Sequence, residues 1–187
     1  MKRALIPFFM ASVAIFPATL LPQQKLTATN LPEFLARYDT NFGPLEAVLS
    51  DLMNENLPLT DEAGRPLARR PLADRLLAVS SLRRTARELA SRPEDLVLAV
   101  TLVIRTGSLA DDLFDLSQVA FDNDREELGK RLSALQITME ENKELLADYL
   151  LALAAEKQNR LHQLEKEVDE LHRKLKESTK QAGPRAP

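Results

Sequence analysis

The chain has 187 residues, 44% apolar and 28% charged, with a formal net charge of -3 and no cysteine. That apolar fraction excludes a wholly disordered chain, and the length suits one domain with an appendage. Without cysteine there is no disulfide framework, thiolate zinc site, iron–sulfur centre or thiol nucleophile, and nothing to carry a lipid anchor.

Met1-Lys2-Arg3 precedes a run from Ala4 to Pro22 that contains no charge. A basic start and an apolar run form the pattern of a secretory signal, and about 20 helical residues also cross a bilayer. Residues 1–24 are therefore expected to be a signal peptide or an N-terminal membrane anchor. Ser12-Val13-Ala14 has small residues suited to cleavage, whereas a cut after Ala18 leaves bulky Phe16 in the way. Pro7 and Pro17 weaken a spanning helix without forbidding it. On either reading Lys2 and Arg3 hold the N-terminus inside, and the body is exported to a bacterial-type periplasm or beyond.

The body is rich in leucine, with 32 Leu between residues 25 and 187 against six aromatic residues. That composition favours helix over sheet. Phe34, Leu35 and Tyr38 begin one amphipathic piece, and Phe42, Leu45, Leu49 and Leu52 follow after Pro44, a residue suited to a first helical turn. Residues 54–67 carry turn chemistry. A helix over 71–91 aligns Leu72, Leu76, Val79, Leu82, Ala86 and Leu89 at spacings of three and four. Ser91-Arg92-Pro93-Glu94 ends it and begins another. There Leu96, Val100 and Val103 form one stripe, and Leu102, Leu109, Leu113, Leu116 and Ala120 a second. The apolar run from Leu96 to Ile104 also suits a buried strand, but no second segment exists to pair with it. Gly107-Ser108, with Asp111 three residues on, suggests a kink or a split.

No proline occurs between Pro93 and Pro184, so very long helices are permitted there. The last helix is expected from about Asp122-Asn123-Asp124 to about Thr179. Leu128, Leu132, Leu135, Met139, Asn142, Leu146, Tyr149 and Leu153 follow one seven-residue repeat, and Leu161, Leu164, Val168, Leu171 and Leu175 follow another. The steps 149–153–157–161 insert a stutter between them. Such a helix is roughly 80 Å long at 1.5 Å per residue. A compact domain of this mass is only about 30–35 Å across, so the helix projects. The expected fold is all-α: an antiparallel bundle of three to four helices over 25–155. Residues 156–180 extend the last helix as a coiled-coil arm, and 181–187 form a disordered tail.

The arm is the main functional candidate. Its stripe Leu161, Leu164, Val168, Leu171 and Leu175 is narrow and flanked by charges of both signs, as a coiled-coil seam is. It calls for a protein partner, another copy of the chain or an upstream helix of its own. Asn142, among leucines, either fixes register or lies at the stripe edge.

Residues 65–92 carry eight arginines against Asp74 and Glu88, and residues 93–127 carry nine acids against Arg105 and Arg125. Arg75, Arg83, Arg84 and Arg87 could contact an anionic lipid surface. Neutralisation by the acidic helix that follows is the alternative. Export removes nucleic acid as a routine partner.

Asp111-Asp112-Leu113-Phe114-Asp115 resembles the aspartate-rich motif with which terpene and prenyl synthases bind Mg-diphosphate. The resemblance covers these five residues and implies a metal-dependent activity using Asp111, Asp112 and Asp115. Acids near a helix start also suit the helix dipole. His162 and His172 are ten apart, whereas helical metal pairs are three or four apart. With no nucleophile triad and no glycine-rich phosphate loop, neither a catalytic residue nor a cofactor is assigned. The function expected is that of an exported, non-enzymatic scaffold, adaptor or chaperone-like protein, working through coiled-coil contacts at or near the membrane.

Overall fold

The computed structural model describes residues 25–54, 59–61 and 64–181. The expected signal or anchor and nearly all of the expected tail lie outside the described residues. Five helices follow in order: α1 (Leu31–Thr40), α2 (Phe42–Met53), α3 (Arg69–Ser91), α4 (Leu96–Asp122) and α5 (Glu126–Gln181). Asn41 alone separates α1 from α2, and the two pack on α3 as one broken element. Among the described residues the only β-type pairing is an isolated bridge between Thr60 and Pro66. The fold is an all-α bundle.

Local signals start and stop these helices. Pro32 and Pro44 lie in the first turns of α1 and α2, where the missing N–H costs nothing. The Asp95 carboxylate accepts from the Leu98 N–H at 3.1 Å and caps α4. Asp124 adopts φ 56° just past the end of α4. The Asp124 N–H then donates to the Phe121 carbonyl and the Arg125 N–H to the Ala120 carbonyl. That pair of bonds is a Schellman motif, and it reverses the chain into α5. Of residues 122–124, expected to open the last helix, Asp122 therefore closes α4 and Asn123-Asp124 form the turn before α5.

The core is built along α4. This helix lies between α3 and α5 and buries small residues, Ala99, Ala110, Ser117 and Ala120, beside Leu102, Leu109 and Leu113. It runs antiparallel to α3, to which Arg75–Asp112 and Ser81–Arg105 bind it, and to α5, where Gly107 faces Lys143 and Phe121 faces Gly129. The kink or split expected at Gly107-Ser108 does not occur: α4 is continuous through both residues. Gly107 serves approach instead, because a Cβ there would lie 3.1 Å from Lys143 Cδ. Asn123 ties the α2–α3 connection to this layer. Its Oδ1 accepts from the Thr60 N–H and hydroxyl at 2.9 and 2.7 Å, and its Nδ2 donates to the Thr60 carbonyl at 2.9 Å.

Along α5, Leu128, Leu132, Met139, Leu146, Tyr149 and Leu153 are buried, as their heptad spacing predicts. The Tyr149 hydroxyl donates to the Pro93 carbonyl, and Lys157 Nζ lies 2.9 Å from Glu94 Oε2. These two contacts mark where α5 leaves the bundle. Residues 158–178 are all exposed. Residues 158–181 of this helix span about 36 Å at 1.5 Å per residue.

Candidate functional site

The seam residues lie on this free helix. Leu161, Leu164, Val168, Leu171 and Leu175 are between 41% and 64% exposed. A residue advances about 100° around a helix, so the seam centres about 30° from the stripe that α5 buries against α4. The stutter cancels the drift that a strict seven-residue repeat accumulates on a straight helix. The arm thus presents, beyond the bundle, a continuation of the face that α4 covers within it. The five large apolar residues of this exposed stripe keep the 3-4-3-4 spacing along the arm.

The four arginines named as lipid contacts divide. Arg83 is a clamp: Nε and Nη2 donate to the two Asp39 oxygens at 2.9 and 3.0 Å, and Nη1 donates to both Glu46 oxygens at 3.1 and 3.0 Å. Arg87 reaches the same Asp39 at 3.4 Å, and Arg75 pairs with Asp112 at 2.9 Å. Arg84 is exposed and forms no ion pair among the described residues. The expected neutralisation of α3 by α4 is corrected in its partner. Only Arg75 turns to α4, while Arg83 and Arg87 turn to α1 and α2. Sequence order makes α3 and α4 neighbours, but it does not reveal that α1 and α2 cover the other charged side of α3. The Arg83 guanidinium holds the Asp39 carboxyl below its ordinary value.

The three aspartates do not converge. Asp112 is committed to Arg75, and Asp111 faces α5, where its charge helps raise the ammonium pKa of Lys143 behind that of Glu140. Asp115 borders an open depression with Thr60, Asp61, Gly64, Asp122 and Asn123. In that depression Asp61 binds Arg65, and the Asn123 side chain is bonded to Thr60 and to the Val119 carbonyl. Among the described residues no group of three His, Asp or Glu is gathered to hold a metal ion. His162 and His172 are exposed on the arm.

Asn142 is half-buried on α5, and its Nδ2 is buried without a hydrogen-bond partner. It is enclosed by the bundle of its own chain, so it plays no part in the arm's seam. A pairing that sequence reasoning missed joins α1 to α4 in the interior. The Thr106 hydroxyl donates to the Leu102 carbonyl and accepts from the buried Tyr38 hydroxyl, each at 2.7 Å. Burial pushes the Tyr38 phenol up to about 12. No sequence signal marks this pair, since the two residues are 68 positions apart. No helix among the described residues is long and apolar enough to cross a membrane.

Comparison with protein-family models, with curated proteins and with solved structures finds no match.

Proposed function

We propose that the protein is a non-enzymatic interaction protein, a scaffold, adaptor or chaperone-like holder, that docks a helical partner along the exposed seam of α5. One observation carries this reading: five large apolar side chains at coiled-coil spacing stand in solvent on a helix the bundle does not cover. Leaving such a stripe in water is unfavourable by about 25 cal/mol per Å² of apolar area, which a partner helix would recover. The reading includes export, because Lys2 and Arg3 precede an uncharged run of signal or anchor type. Such a segment would set the arm to work at or near the membrane.

The test is a photo-reactive residue in place of Leu171 in the full-length chain, activated in living cells. A crosslinked product should form, and Leu164→Glu in the same chain should remove it. The substitution sits on the exposed arm, so the bundle stays folded. A chain that gives no product, or gives the same product with Leu164→Glu, overturns the reading.

A further inference from the structure

We infer that the occupant of the seam is the arm of a second copy of this chain, paired antiparallel with Val168 opposite the partner's Leu171. The inference rests on the docking role proposed for the arm and names what it docks.

Direction follows from where α4 begins. Up to Leu153 and Lys157 the seam side of α5 is occupied by α4 and by the turn carrying Glu94. A packed helix layer is about 8–10 Å thick. Two arms running parallel and touching at Leu161 would bring two such layers into one space within a turn or two, and both α5 helices would have to break. Running antiparallel, the arms set their bundles at opposite ends, so the two α4 layers do not meet.

Register follows from length and charge. Centring the pair between Asp169 and Glu170 lays residue 158 opposite the partner's residue 181. The free helix is then covered from the point where it leaves the bundle to its end at Gln181. In this register Leu164 meets the partner's Leu175, Val168 meets the partner's Leu171, and Leu161 covers the partner's Ser178. Each contact occurs twice by symmetry. Antiparallel coiled coils bring the flanking positions of like kind together. Here that puts Glu167 beside the partner's Lys174 and Glu165 beside the partner's His172. Sliding by one heptad toward the bundle places Glu167 beside the partner's Glu167, Glu165 beside the partner's Glu165 and Arg160 beside the partner's Lys174. It also puts Lys157 over the partner's Leu175. Like charges at flanking positions reject that register, and the unlike pair Glu167 with the partner's Lys174 selects the first.

The chain has no cysteine, so introduced thiols report on this contact alone. Full-length chains with Val168→Cys and with Leu171→Cys, tagged to differ in size, are coexpressed and oxidised. The mixed disulfide should exceed either self-pair several-fold. In self-association measurements Lys174→Glu should weaken pairing about tenfold, the scale of two flanking ion pairs turned repulsive. Glu167→Lys should do the same. The two single variants mixed together should recover pairing, because each then supplies the other's missing charge. Self-pairing of Val168→Cys chains as efficient as the mixed product, or no effect of Lys174→Glu, overturns the antiparallel register while leaving the arm a docking surface. If no disulfide joins two copies but the photo-reactive residue at 171 captures a different protein, the second copy is overturned and the docking role stands. If neither reagent gives a product, both are overturned.

Discussion

The Arg83 guanidinium divides its donors between carboxylates from two other helices, Asp39 of α1 and Glu46 of α2. A planar fork suits this arrangement, and an ammonium does not. Arg83→Ala should lower unfolding stability by about 2–3 kcal/mol and Arg83→Lys by about 1–2 kcal/mol in urea titration. The same clamp makes stability sensitive to acid. The Asp39 carboxyl is held below its ordinary value of 3.8, chiefly by the Arg83 hydrogen bonds. Its contribution is therefore present above that pH and lost as pH falls through the lower native value, and Arg83→Ala should flatten this part of the profile. Tyr38 acts at the other end of the scale. Its phenol is raised from 10.0 to about 12 by burial, so the unfolded chain loses this proton first. Stability should be unaffected below pH 10 and fall by about 1.4 kcal/mol per unit between pH 10 and about 12. Subtracting the profile of Tyr38→Phe isolates the part that belongs to this residue. None of these pairings is legible in the sequence, because each joins residues far apart along the chain whose meeting depends on helix rotation.

At the scale of helices the sequence is far more readable. Period and punctuation place α3, α4 and α5, and the heptad from Leu128 to Leu153 marks the buried face of α5. The errors lie where one residue has two uses. Glycine inside a helix reads as a break, but Gly107 sits where α4 approaches the Lys143 stem, and Gly129 sits under the Phe121 ring. A Cβ at Gly129 would come within 2.7 Å of that ring. Asp122-Asn123-Asp124 reads as a helix start because these are capping residues, yet Asp124 ends the α4 turn in the left-handed region. A side chain there is strained, and glycine relieves the strain. Asp124→Gly should raise stability by about 0.5–1 kcal/mol, measured by chemical denaturation. A loss of stability would mean that the Asp124 side chain contributes more than its backbone strain costs.

For the whole molecule the question is how a body this small carries a helix of 56 residues. The bundle does not use the arm: among the described residues its last buried one is Leu153, and its last tie is Lys157 with Glu94. Truncation after Ala155 should therefore leave bundle stability nearly unchanged, because an exposed ion pair such as Lys157 with Glu94 contributes little. Circular dichroism with calorimetry on the truncated chain checks this. Leucine-rich composition, proline placement and hydrophobic period determined by themselves that this chain is helical, that its last helix outruns the body, and that the excess carries an apolar stripe. These are local properties, set by backbone propensity and by which side of a helix is apolar. Only the tertiary structure decided which charges pair, that α1 and α2 rather than α4 neutralise Arg83 and Arg87, and that the three aspartates from 111 to 115 point to separate surroundings. Those outcomes depend on how the helices are rotated and stacked. One rotation is chosen over another by the packing of residues distant along the chain, which no local pattern contains.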